Sequence, residues 1–336
     1  MATEKLAKKI FPITVFISDL PTSNILQTPP STSGSENEPV RGRLVIIGDI
    51  HGMRKSFESL LGKISFNKEN GDHLILAGDL VNKGPDSAGV LEIAQRLGAS
   101  AVRGNHDNAV LHATAQINDK RDSLVKAGLI EPSIPGKILG EIEDFQKHVS
   151  AGGTDVEHSA STYIAAASLS KAQFEWLASL PLILRVGIPH ELSSTLGENL
   201  IVVHAGLVPN IPLEQQDPHS IMHMRSFVAQ SGPSDRREFV ATEEFGEEGW
   251  AQTWDSWQER QESKTTVVFG HDAKRRLQLG KYSIGLDSAC LYGHRLSALI
   301  ISAVDGRIDH QVVQVECSDE PVVPTFVVES KPGDKF

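Results

Sequence analysis

An α/β fold with its ligand-bearing loops on one sheet edge is what this 336-residue chain predicts, from three features of the sequence. Five short apolar runs, at 44–47, 74–77, 101–102, 200–203 and 266–269, are rich in β-branched residues and too short for helices. They are apolar throughout instead of alternating, as strands covered on both faces should be. Between them, 54–66 and 86–98 read as crossover helices, the second with Val90, Ile93, Ala94 and Leu97 on one side. Each run also ends in residues able to bind a metal. Ligands collect beyond the carboxyl ends of strands in such sheets, so all five sets are expected on one edge.

In chain order, residues 1–40 read as a flexible N-terminal tail, with 21–40 rich in Pro, Ser and Thr. Whether Ile10 to Ile17 returns as an edge strand is left open. A single domain is expected over 41–317, because the five runs spread across most of it. Within it, 110–183 has helical patterning broken by Pro132, Pro135 and Gly152-Gly153, and reads as a cap-like insertion over the site. Residues 208–260, with the acidic run at 243–248, read as an opposite lip. The last strands are Ser297 to Val304 and Gln311 to Val315, and 318–336 reads as a poorly ordered C-terminal tail. No internal repeat is present.

Composition narrows the class of partner. A net charge of −11 argues against extended binding to nucleic acid or anionic membranes, while leaving room for a local basic pocket. Two cysteines, Cys290 and Cys317, make no disulfide framework and suit a reducing, cytoplasmic compartment. Ile10 to Ile17 is too short to span a membrane. A monomer is expected.

The residues that end the runs suit a pair of divalent ions. Two such ions about 3.5–4 Å apart need a shared oxygen donor and open positions for water and phosphate. Asp49 and His51, two apart in a turn, can face one ion. Asp79, a lone carboxylate after a glycine at a strand end, is the natural bridge, and Asn105, His204 and His271 complete the second ion. Nitrogen and oxygen donors without thiolate suit Mn, Fe or Zn. Gly48, Gly52, Gly78, Gly84, Gly104 and Gly206 flank the donors, where tight turns and close approach of a phosphate are needed.

Taken in order, GDIHG (48–52), GDLVNKGPDS (78–87), RGNHD (103–107), VHAGL (203–207) and FGHD (269–272) resemble the motifs of the calcineurin-like metallophosphoesterases. The likeness covers 43 to about 302. Within the phosphoprotein phosphatase branch, GPDS, residues 176–182 and 285–290 resemble the symmetrical diadenosine tetraphosphatase group. That resemblance implies a four-layer sandwich, two mixed sheets flanked by helices. It also implies a dinuclear site, with Asp49, His51 and Asp79 on one ion and Asp79, Asn105, His204 and His271 on the other. His106 matches the family's general acid, protonating the leaving oxygen while a metal-bridging hydroxide attacks phosphorus.

This chain departs from the protein phosphatase pattern at Asn82-Lys83, where those enzymes carry Asp-Arg. The carboxylate that would pair with His106 is missing, and Asn82 is expected to orient the imidazole through its amide oxygen. Lys83 meets phosphate as a point charge instead of a fork. Asn105 and Arg225 are further candidates for phosphate binding, although a solvated helix face would equally suit Arg225. Plainer readings hold elsewhere. Arg103 should pair with a buried carboxylate, and Asp107 and Asp272 should cap the elements they begin. Asp287 reads as a residue behind the site or as a turn residue. His73, His112, His148, His158, His190, His219, His223, His294 and His310 read as surface or packing residues. Trp176, Trp250, Trp254 and Trp257 read as core or lip.

The expected activity is phosphoanhydride hydrolysis on dinucleoside polyphosphate, inorganic polyphosphate or a nucleotide cap, the substrates the resemblance implies. A Ser/Thr protein phosphatase on the same residues is the alternative, and an inactive phosphate-sensing or scaffold module a second.

Overall fold

Side chains alternate along each short apolar run, and both faces find apolar cover. In the computed structural model, which describes residues 10–22, 25–26, 42–126, 158–231 and 237–323, Leu44 and Ile46 pack with one cluster and Val45 and Ile47 with another. The strands are β1 Ile17–Leu20, β2 Leu44–Ile47, β3 His73–Leu76, β4 Ser100–Ala101, β5 Ile183–Gly187, β6 Ser193–Ser194 and β7 Asn199–Val203. They continue with β8 Ser226–Ser231, β9 Arg237–Thr242, β10 Thr265–Phe269, β11 Gln278–Leu279, β12 Ser283–Gly285, β13 Arg295–Val304 and β14 Arg307–Glu316. Six form one mixed sheet in the order β1-β5-β7-β10-β12-β11, six form a second in the order β4-β3-β2-β13-β14-β6, and β8-β9 is a separate hairpin.

Helices α1 Arg54–Lys63, α2 Ser87–Leu97, α3 Asn105–Lys126, α4 Ala160–Ser168 and α5 Lys171–Ala178 supply the residues that meet Val45, Ile47, Leu74 and Leu76 on the outer face of the second sheet. Helices α6 Pro218–His223 and α7 Trp250–Gln258 cover the outer face of the first, where Trp250 and Trp254 pack on Val267 and Phe269. Leu44, Ile46, Val202, Val268 and Leu299 fill the space between the sheets. The result is the expected four layers. Full burial of each such side chain is worth roughly 1.5–3 kcal/mol over leaving it exposed.

Local signals set the ends. Asp86 caps α2 by accepting the Gly89 N–H at 2.7 Å, and Gly98 closes it at φ 68°. Asp305 and Gly306, both at positive φ, turn β13 into β14.

Three expectations need correcting. The N-terminal 40 residues are not all tail, because β1 adds parallel to β5 at the edge of the first sheet, which pairs one side of its backbone. The C-terminal segment stays attached beyond 317. Asp319 is buried, and its carboxylate accepts from Lys55 N, Ser56 N and Ser56 Oγ, capping an α1 whose own N-cap, Met53, offers no side-chain acceptor. Arg103 finds carbonyls instead of a carboxylate. Its guanidinium donates to Phe11 O, Pro12 O and Ala178 O, which ties the N-terminal segment to the end of α5. The middle of the expected cap, 127–157, lies outside the described residues, as does His148.

Candidate metal centre

The donor sets do gather at one end of the sandwich, but from two sheets and not one. Asp49, His51, Asp79 and Asn105 follow β2, β3 and β4 of the second sheet, while His204 and His271 follow β7 and β10 of the first. Sharp turns make this possible. His51, Asp79, Asn82, Lys83 and His271 all have positive φ, at 49°, 51°, 80°, 67° and 70°. Each such residue costs about 1–3 kcal/mol and persists only where its surroundings fix it. Here Ile50 N and His51 N both donate to Asp79 O, and Gly84 N donates to His51 O. Asp107 was expected only to cap its helix. Its buried carboxylate instead takes the N–H groups of Leu80, Val81 and Gly104, locking the Asp79 loop to the start of α3. Gly104 is required for close approach, since a Cβ there would collide with the Asp79 carboxylate.

Asp79 stands in the middle. Its Oδ2 lies 3.5 Å from His51 Nε2, and its Oδ1 lies 3.4 Å from His204 Nε2. Asp79 thus belongs to both clusters of possible metal donors, one with His51 and His106, the other with His204 and His271. Asp49 Oδ2 lies 4.0 Å from His51 Nε2 and its carboxylate accepts the His271 N–H. Asn105 Oδ1 sits 3.0 Å from His204 Nε2 and 3.1 Å from His271 Nδ1. His204 lies fully buried beneath the opening.

The donor chemistry fits cations. His271 is buried and held well below the ordinary histidine range, first by burial and then by the His204 and Arg225 charges, so it is neutral. Its one ring proton goes from Nε2 to His223 O at 3.1 Å. Nδ1 therefore faces Asn105 Oδ1 with a bare lone pair, acceptor against acceptor. A cation between them relieves that opposition. His204 spends its Nδ1 proton on Ala77 O, and its Nε2 faces Asp79 and Asn105. Burial opposes charge on this ring, yet the Asp79 carboxylate outweighs it and pushes the pKa up to about 10. A proton can fill the place a dication would take. Burial likewise raises Asp49 well above the carboxylate range, and raises Asp287 to about 6.

Asp49, His51, Asp79, Asn105, His106 and His271 line an opening of about 70 Å³ with Lys83, Arg225, Asp287 and Tyr292. Such a volume takes ions and water, and is far below the 300 Å³ or more of an ordinary ligand pocket. Arg225 is half-buried at the end of α6, not on a solvated helix face. Its Nη1 donates to Glu243 O, and its buried Nε has no hydrogen-bond partner among the described residues.

His106 enters from the start of α3, its N–H donating to Asp79 Oδ1 at 2.8 Å and its ring edge-on to His51. Burial is the first cause that pulls its pKa down, to about 4. Asn82 does not meet this ring through its oxygen. Its Oδ1 accepts the Lys83 N–H, and its amide nitrogen faces His106 Nδ1 at 3.1 Å.

Two supporting residues had no sequence signal of this role. His223 serves the site through its carbonyl, which any residue has, and Thr162 reaches Asn82 from 80 positions away. Asp287 is the turn acceptor weighed for it, taking Ala289 N, but it lines the opening and does not sit behind the site. Asp272 does cap its turn, taking Arg275 N. None of the four tryptophans lines the opening.

A family model for the calcineurin-like phosphoesterases matches residues 42–300. The chain belongs to that family. Its members use two divalent metals, and the chain is a metal-dependent hydrolase of phosphoesters or phosphoanhydrides. It is 28% identical over 285 residues to the zinc-dependent endopolyphosphatase of Saccharomyces cerevisiae, covering 82% of this chain and 81% of the relative. It is also 28% identical over 294 residues to the symmetrical bis(5'-nucleosyl)-tetraphosphatase of Dechloromonas aromatica, covering 83% and 97%. A solved structure, provisionally assigned as a diadenosine tetraphosphatase, superposes with a TM-score of 0.58 at 31% identity over 90% of this chain and 98% of that one. No described helix is long and apolar enough to cross a membrane.

Proposed function

We propose that the pocket hydrolyses phosphoanhydrides, with polyphosphate chains and dinucleoside polyphosphates as the substrate class. Asp49, His51 and Asp79 would hold one ion and Asp79, Asn105, His204 and His271 the other. Ions there would neutralise phosphoryl oxygens and lower the pKa of water for in-line attack. The protein's own part is to place the phosphate. Lys83 and Arg225 face the opening with positive charge, Arg225 with a buried N–H to spare, and the Asn105 amide adds a polar contact. His106 Nε2 then stands toward the departing oxygen.

The observation that carries the choice of substrate is the amide partner of His106. A carboxylate behind a histidine keeps the ring charged, so that it has a proton to give a poor leaving group, and here the partner is Asn82. Anhydrides expel a phosphate, which needs little such help. The names of the two curated relatives, an endopolyphosphatase and a tetraphosphatase, agree with this class. The test is a panel of diadenosine tetraphosphate, polyphosphate and phosphoserine peptides, each with Mn, Zn, Mg and Co. Higher kcat/KM for the anhydrides supports the proposal, and preference for the phosphopeptide defeats it.

A further inference from the structure

The partner of His106 is itself set by α4, a helix that carries none of the metal-binding motifs. Asn82 is 1% exposed, and the backbone decides which way its amide points, because the Lys83 N–H donates to Oδ1 at 2.8 Å and only an oxygen can accept it. The amide nitrogen is thereby turned the other way, 3.0 Å from Thr162 Oγ1 in α4 and 3.1 Å from His106 Nδ1. An amide NH2 has two protons and nothing to accept with, so it donates one to each neighbour. His106 Nδ1 must then be an acceptor, and the ring proton sits on Nε2. Thr162 is 4% exposed, and its oxygen also lies 2.9 Å from Ser159 Oγ, which gives the hydroxyl proton a place to go. The donors Lys83 N, Asn82 Nδ2 and Thr162 Oγ1 thus each have an acceptor.

We infer that Thr162, acting through Asn82, is a positioning residue that locks His106 in its Nε2–H tautomer and so selects leaving groups. The inference rests on the reading that Nε2 faces the departing oxygen. In that tautomer the ring gives the oxygen a hydrogen bond and not a full proton. When an anhydride P–O bond breaks, the electron pair stays on the departing phosphate oxygen, which leaves as a resonance-stabilised anion and takes no proton from the protein. A seryl or threonyl oxygen leaving as an alkoxide has no such delocalisation and needs the proton. Helix α4 therefore reaches back to bias the site toward anhydrides. Thr162 does so without touching substrate, and the loop after β3 alone would leave the second amide proton of Asn82 buried and unpaired.

The test uses the full chain labelled with ¹⁵N-histidine and loaded with diamagnetic zinc, with His106→Gln to assign the signals. His106 Nδ1 should read as a pyridine-type nitrogen accepting a hydrogen bond. In Asn82→Asp the introduced carboxylate accepts a hydrogen bond from a protonated Nδ1, and the signal should become pyrrole-type. The same change should raise kcat for a phosphoserine peptide relative to tripolyphosphate by about 10-fold or more. Thr162→Val removes the acceptor while keeping the shape. It should lower kcat for tripolyphosphate with little change in KM, and Thr162→Ser should restore it. A protonated Nδ1 in the unaltered chain overturns the inference. So does an unchanged substrate ratio in Asn82→Asp after the tautomer has switched, or a Thr162→Ser as impaired as Thr162→Val. Preference of the unaltered chain for the phosphopeptide would defeat the proposed substrate class instead, and the nitrogen spectrum would still decide the tautomer.

Discussion

The two sides of the pocket are built differently. On the metal side, donors are held by backbone. Asp79 O takes two N–H groups, Asp107 clamps three more, and the carbonyls of Ala77 and His223 fix the ring protons of His204 and His271. On the leaving-group side, His106 depends on one amide, and that amide depends on one hydroxyl from α4. The first side is over-determined and the second rests on single contacts between side chains. Turnover should therefore be fixed by the first, and substrate choice should be adjustable through the second with the metals left in place.

The largest break in that contrast should come from Asp79→Asn. Removing the one negative charge shared by two dications leaves them too close without compensation, so activity is expected to fall by about 10³-fold or more on every substrate. A loss confined to one substrate class would mean that Asp79 belongs to the selective side. His106→Gln comes next. It should keep both ions and lower kcat by about 10–100-fold, the worth of one hydrogen bond to a charged leaving oxygen, with a smaller loss for nitrophenyl phosphate. Equal losses across leaving groups would remove His106 from the leaving oxygen. Arg225→Ala, which takes away a charge-assisted contact of about 1.5–3 kcal/mol, should raise KM for polyphosphate roughly tenfold or more and spare kcat, as initial-rate curves would show. The smallest effect belongs away from both sides. Asp319→Ala uncaps α1 and should cost about 1 kcal/mol, seen as a lower thermal midpoint with kcat/KM unchanged.

The same contrast explains what the sequence made legible. Donors at strand ends are readable because a β-branched run, a glycine and a ligand stand together in the chain, as in residues 44–52 and 74–79. The four layers came from the resemblance, while the division of donors between two sheets depends on the pairing of β2 with β13 and of β7 with β10, which no local pattern records. Asn82 was visible as a departure, but the direction of its amide was not. That depends on the Lys83 N–H and on Thr162, contacts made only after a long stretch of chain returns. Arg103 misled for a related reason, since a buried guanidinium can be satisfied by carbonyls as well as by a carboxylate, and composition cannot tell them apart. Asp319 was lost in a polar tail because its partner helix begins more than 260 positions earlier.

The most direct test of the central claim, that Asp79 joins two cation sites into one centre, is the stoichiometry of zinc binding by titration calorimetry, checked by elemental analysis after dialysis. The unaltered chain should bind two equivalents, and Asp79→Asn should retain less than one while still folded by circular dichroism. One equivalent in the unaltered chain, or two retained by Asp79→Asn, would contradict it.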